Sequence, residues 1–261
     1  MLVRVKSDLH VHTNLSSCGD PSATLAAMAA AGKRAGLDAI GIANHLWDGA
    51  VAGASPWYAP QDAAHVLSLR QEAAGGTAPR LLLGCEVEYT GGGTVSVSLE
   101  KAALFDYILI PFTHLHMKDF VIPRDLFEPR SVAVFMLARG FELMEHPLTG
   151  CGTPLGFAHP FLPCGFGETE LEILAAISTE QYRRFFTRAA EKQISVEIHG
   201  AMTAGGREEY LRMLSTAKVC GCRFHFASDA HAPDEITAER YAALASLAED
   251  AGVGESDLLA F

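Results

Sequence analysis

No run of about 18 apolar residues occurs in this 261-residue chain, so no segment reads as a membrane span. The first residues, Met1 to Lys6, lack the apolar stretch of a secretion signal, and the expected location is the cytoplasm. Basic residues are few: Lys plus Arg is 20 against 31 for Asp plus Glu, a net charge of -11. That balance argues against a long nucleic-acid partner, which needs the opposite sign. A small anionic substrate stays open, because bound cations invert the local field. The six cysteines are scattered and read as free thiols. Cys220-x-Cys222 is too tight for the usual zinc pair and has no second pair, so it reads as strand or turn packing. Gly91-Gly92-Gly93 is not followed by Gly-Lys-Ser/Thr, which removes the common triphosphate loop. No Gly-x-Ser-x-Gly ends a strand, so no nucleophile elbow is expected. There is no Pro/Gly-rich linker and no fixed-period repeat, and residues 1–261 read as one domain.

What remains is a folded composition, 49 % hydrophobic and 20 % charged, in which strands alternate with helices. Strands are expected over 3–12, 39–43, 80–88, 107–112, 156–159, 194–198 and 223–227. Helices are expected over 22–36, 62–74 (ended by Gly75-Gly76), 131–144, 169–190 as one or two pieces, 207–218 and 237–251. Seven strands separated by helical segments imply an α/β fold with a parallel sheet. Open and closed versions look alike at this level, and the polar residues decide between them.

His10, His12, His45, Glu86, His114, His159, Asp229 and His231 each fall at or just past the C-terminal end of an expected strand. Barrel enzymes carry their chemistry on that edge, whereas an open sheet uses only one crevice. Contributions from six strands favour a closed or nearly closed ring. His10-x-His12 puts two imidazoles on one strand face, and Asp229-x-His231 repeats the spacing. Glu86 ends a strand of three leucines and a glycine, where an unpaired carboxylate is costly; a cation would compensate it. His114 is preferred to His116 as a ligand, with His116 kept for substrate or support, and Glu88 ranks behind Glu86. His65 and His146 read as surface or capping residues, and His225 as core or supporting. Trp47 and Trp57 either line the pocket mouth or pack the loop.

Imidazole and carboxylate together suit zinc, iron or manganese. The donors outnumber what one tetrahedral ion needs, which implies two or three divalent ions bridged by a carboxylate, Glu86 being the best candidate. A metal-bound hydroxide is then the expected nucleophile, with Glu86, Asp229 and His231 expected to carry the catalysis.

In Asp8-Leu9-His10-Val11-His12-Thr13, Ala43-Asn44-His45, Gly84-Cys85-Glu86, the His114 loop, His159-Pro160 and Ser228-Asp229-Ala230-His231, the chain resembles the PHP (polymerase and histidinol phosphatase) family over nearly its whole length. The resemblance implies a distorted (β/α)7 barrel and a trinuclear phosphoesterase site. One ion would take His10, His12, Glu86 and Asp229. A second would share Glu86 and take His114 and His159, and a third would take Asp20, His45 and His231. The position matched to Asp20 is His in some members and Asp in others. Where many relatives have Asn, this chain has His199. Lys118, Arg124 and Arg207, with His116 and His199, are the expected substrate contacts. The expected partner is a small phosphate monoester, with histidinol phosphate as one candidate. The competing expectations are a phosphodiesterase acting on nucleotides or short nucleic-acid ends, and a metal-binding module without catalysis. Oligomeric state is left open.

Overall fold

In the computed structural model, which describes residues 3–74 and 79–259, a strand forms within or close to every expected stretch, and the one expected over 80–88 is interrupted at Gly84. β1 is Ser7–Val11, β2 Ala39–Ile42, β3 His45–Leu46, β4 Arg80–Leu83 and β5 Cys85–Val87. β6 (Tyr89–Gly91) and β7 (Thr94–Val95) form a hairpin that the sequence pattern does not announce. Its turn is Gly91-Gly92-Gly93, all at positive φ, a conformation that glycine adopts without a Cβ clash. β8 is Ile108–Ile110, β9 Leu155–Phe157, β10 Ser195–His199 and β11 Phe224–Ala227.

The parallel strands form one sheet of order β1-β2-β4 and another of order β11-β10-β9-β8-β5-β3. β2 leads into β3 and β4 into β5. Gly84 N donates to Ile42 O at 2.9 Å and Glu86 N to Asn44 O at 3.0 Å across the interruption. The first and last strands meet just past their ends: Asp229 N donates to His10 O and His12 N to Ala230 O, both at 2.9 Å. That contact is an isolated bridge and not a ladder.

The helices follow local chemistry. α1 (Leu25–Ala35) starts where Thr24 accepts from Ala27 N and stops at Gly36, φ 82°. The stretch expected as one helix over 62–74 breaks at Ser68-Leu69 into α2 (Ala63–Leu67) and α3 (Arg70–Ala74); the expected Gly75-Gly76 stop lies outside the described residues. α4 (Leu99–Ala102) is a single turn, and α5 is Pro129–Met144. The stretch 169–190 divides into α6 (Glu170–Ala175) and α7 (Thr179–Glu191), because Ser178 and Gln181 form a capping box that starts a new helix. α8 (Arg207–Val219) and α9 (Ala238–Asp250) complete the set. None of the described helices is long and apolar enough to cross a membrane.

Strand alternation sorts the side chains into two faces. Ile40, Ile42, Leu83, Cys85, Val87, Ile108, Ile110, Val196, Ile198, Phe224 and Phe226 join the large core with the helices. The other face carries Leu82 and Leu109, which pack with Leu9, Ala43, Ala158 and Tyr107 in a small separate cluster. Further along the same face come Glu86, Glu197 and His225, all buried. Gly41 and Gly84 make room for Tyr107, whose hydroxyl donates to Leu9 O at 2.7 Å. A Cβ on Gly84 would stand 2.3 Å from Tyr107 Cζ. Gly84→Ala is therefore expected to lower stability by about 2 kcal/mol, the usual cost of overpacking a rigid site. A urea denaturation midpoint unchanged from wild type would show that Tyr107 can move aside.

Candidate metal centre

Five imidazoles from different elements converge on one carboxylate. Glu86 Oε2 lies 3.4 Å from His10 Nε2, 3.5 Å from His12 Nε2 and 3.1 Å from His45 Nδ1. Its Oε1 lies 3.5 Å from His114 Nε2 and 3.2 Å from His159 Nε2. Asp229 Oδ1 closes the other side, 3.5 Å from His10 Nε2 and 3.2 Å from His12 Nε2. His231 stacks on His12 with ring centroids 4.4 Å apart, and its Nδ1 is 2.8 Å from Asp229 O. The expected donors His10, His12, His45, Glu86, His114, His159, Asp229 and His231 are thus brought together.

The rings are held from behind. His10 Nδ1 is 2.9 Å from Glu197 Oε2, and His12 Nδ1 is 3.1 Å from Ser16 Oγ. His114 Nδ1 is 2.7 Å from Glu88 Oε2, and His159 Nδ1 is 2.9 Å from Thr113 Oγ1. Each of these four rings anchors one nitrogen outward and turns the other toward the carboxylates. Metal-binding histidines show this pattern, because the outer bond fixes tautomer and ring angle. Most of the inner contacts exceed good hydrogen-bond length, and the buried His45 Nδ1, although 3.1 Å from Glu86 Oε2, is not in a hydrogen bond. Groups such as His10/His12/Glu86, Glu86/His114/His159 and His12/Asp229/His231 each offer donor atoms within 4.8 Å of one another. Nitrogen and oxygen donors in such groups fit zinc, iron or manganese.

Charge follows from this packing. Burial pushes Glu86 up, but His45, His10 and His114 outweigh it and hold the carboxyl well below its ordinary range. Asp229 is depressed in the same way, burial being overcome chiefly by His10. Burial works to discharge His10, yet Glu197, Glu86 and Asp229 hold it well above an ordinary imidazole. His114 is raised to about 9, Glu88 and Glu86 overcoming burial. Burial lowers His45, His12 and His159.

Two site residues have unusual backbones. His159 (φ 32°) and Asp229 (φ 54°) follow β9 and β11 in the left-handed region. Asp tolerates it. His before proline does so at a cost of order 1–3 kcal/mol, held by its amide donating to Glu197 Oε1 at 2.8 Å.

Several expected contacts fall elsewhere. Asp20 is exposed, and its Oδ1 accepts from Ser22 N at 2.7 Å and Ser22 Oγ at 2.6 Å; it shapes the turn before α1 instead of joining the cluster. Arg207 pairs with Asp250 on α9 at 2.5 Å. Arg124 pairs with Asp119 at 2.7 Å, and Lys118 lies 4.0 Å over the Phe166 ring. Each of these cations settles on a partner near it outside the cluster, and none of the three lines the cavity there. That cavity, of about 530 Å³, has no Lys or Arg among its described lining residues. His116 does line it, and burial with His114 lowers its pKa to about 4. His199 Nε2 stands 3.4 Å from Asp229 Oδ2. Trp57 lines the cavity, while Trp47 is buried with its indole donating to Val51 O at 2.8 Å.

The sequence reading passes over Glu197 and ranks Glu88 behind Glu86 without giving it a task. Glu197 also reaches His225 Nε2 at 3.3 Å. Glu88 accepts from Tyr58 OH at 2.8 Å and braces His114. Glu197 left a sequence signal: a carboxylate between Val196 and Ile198 in a strand whose neighbours all point into the core. Cys18 was also missed; its sulfur lies with donors of His12 and His45 within 4.8 Å.

Known structures share this architecture. The chain is similar to the histidinol phosphate phosphatase HisK of Lactococcus lactis, solved with zinc, L-histidinol and phosphate. The TM-score is 0.64 at 14 % identity, over 95 % of this chain and 94 % of that one. A second structure, from Listeria monocytogenes and also assigned to the histidinol phosphatases, gives a TM-score of 0.62 at 13 % identity, covering 88 % and 97 %. At such identities the likeness is one of fold, an α/β arrangement of helices around parallel strands. No protein-family profile and no curated protein matches the chain.

Proposed function

We propose that the chain is a metal-dependent phosphoesterase that hydrolyses a small phosphate monoester, working as one domain whose strands close into a distorted (β/α)7 barrel. The observation that carries this reading is the convergence of five histidines on the buried Glu86, which lines a cavity without a described Lys or Arg. A phosphate entering it would meet two carboxylates, five imidazoles, two thiols and uncharged side chains, and no described Lys or Arg. Cations held by those side chains would offset its charge. The contact across the strand series at His10 and Ala230 supports closure. The fold likeness to a histidinol phosphatase that binds zinc and phosphate favours the same chemistry.

His10, His12, Glu86 and Asp229 would hold one ion, and Glu86, His114 and His159 a second; His45 and His231 belong to a third. Bound there, the ions would supply charge stabilisation and an activated water. Glu86 spans the first two positions with its two oxygens. Asp229, half-exposed to the cavity beside His199, is the proton acceptor, and His231 holds the rim. His116 is available to the leaving group, as the one lining imidazole with no part in the cluster.

Chelator-treated protein reloaded with zinc, manganese or ferrous iron should recover hydrolysis of 4-nitrophenyl phosphate and of histidinol phosphate in proportion to bound metal. Bis-4-nitrophenyl phosphate should turn over at least about tenfold more slowly, a difference of about 1.4 kcal/mol in barrier. Tight metal binding without turnover of any ester would leave a binding module. Faster diester cleavage would make it a phosphodiesterase.

A further inference from the structure

The loop from Thr13 to Ala23 brings to the cluster a donor of a different chemical kind. Ser16 Oγ ties this loop to both neighbouring histidines, lying 3.1 Å from His12 Nδ1 and accepting from His45 N at 3.0 Å. Gly19 then passes so close to Thr13 that a Cβ would stand 2.1 Å from its carbonyl oxygen. The tight passage is closed by Gly19 N donating to Ser16 O at 2.9 Å. Between these two anchors sits Cys18, whose side chain is exposed. Its sulfur, one nitrogen of His12 and one of His45 all lie within 4.8 Å of one another, and Cys18 and His45 both line the cavity. His45 is 8 % exposed, and its buried Nδ1 lacks a hydrogen bond. Asp20, two residues on, has its carboxylate committed to Ser22.

We propose that Cys18, as a thiolate, is a metal ligand that shares an ion with His45 on the outer side of His12, in the place expected for Asp20. The proposal rests on the metal-centre reading given above. A thiolate changes what that position selects. Sulfur is a soft donor that favours zinc or iron(II) over manganese or magnesium, which prefer oxygen. The outer ion would therefore differ in metal preference from the ions held by nitrogen and oxygen alone. Binding there also releases the thiol proton, since the ligand is the deprotonated sulfur.

Cobalt(II) gives a readout independent of turnover. Chelator-treated full-length protein is titrated with cobalt(II), and absorbance is recorded with bound cobalt measured by elemental analysis. The expected result is a thiolate-to-cobalt charge-transfer band in the near ultraviolet. Cys18→Ser should abolish the band and lower bound cobalt by one equivalent, while Cys164→Ser, the other cavity thiol, keeps both. Cys18→His should restore the cobalt without the band, and Asp20→Asn should leave both unchanged. Near-ultraviolet circular dichroism checks that each variant is folded. Cobalt bound through visible ligand-field bands with no thiolate band would overturn the Cys18 assignment and leave the metal centre standing. So would loss of an equivalent in Asp20→Asn, or a band that follows Cys164. Failure to bind cobalt at all would sink both readings.

Discussion

Glu86→Gln is expected to cut phosphate-ester hydrolysis by about a thousandfold, about 4 kcal/mol of barrier, with bound metal falling in parallel. The amide keeps the shape of the side chain but loses the charge on which five imidazoles converge. One end of an amide is also a donor, and it would face ring nitrogens that are themselves turned inward. The fold should survive, because Glu86 lies past the apolar cluster around Tyr107 and its neighbours Cys85 and Val87 keep their core contacts. Elemental analysis alongside steady-state rates tests this. Wild-type rate and metal content in the variant would remove Glu86 from the centre.

The second large effect is expected at Glu197, which is fully buried and not among the described lining residues of the cavity. One oxygen faces His10 Nδ1 at 2.9 Å and His225 Nε2 at 3.3 Å; the other accepts the amide of His159. The carboxyl is held well below its ordinary range, His10 overcoming the cost of burial. Glu197→Gln is expected to weaken metal binding by about 10–100-fold, as loss of an outer hydrogen-bond partner does elsewhere. Glu197→Ala should also lower stability by about 3 kcal/mol, because it leaves His10 and the His159 amide buried without their partner. Metal titration by competition with a chelator and urea unfolding of the metal-free protein separate the two effects. A Glu197→Ala variant with wild-type midpoint and metal affinity would make Glu197 incidental.

How far the sequence leads depends on whether a position is set by local or distant geometry. His10-x-His12 and Glu86 are legible because strand periodicity alone decides which way they face. The strand-end placement of His114, His159, Asp229 and His231 follows from the same rule, and these residues do assemble. Cys18 and Asp20 are two residues apart in a loop, where no periodicity chooses between them. The choice is made by Gly19 pressed against Thr13 and by Ser22 capturing the Asp20 carboxylate. Arg207 was expected on the active face from its place at a helix start. Its actual partner, Asp250, lies 43 positions along on another helix, a pairing that only the docking of α8 beside α9 creates. Glu88 was read as a rival to Glu86 because it shares its strand parity. The strand in fact breaks between β5 and β6, and Glu88 turns to Tyr58 and His114.

The seam between β1 and the segment after β11 has a consequence for how the donor set comes together. Ser228 N donates to Asp8 Oδ1 across 220 positions of chain, and the Asp229 amide closes on His10 in the same place. Asp229 and His231 therefore reach the other donors only when the segment after β11 has docked on β1. The His12, Asp229 and His231 group is thus put together only by the closing of that seam.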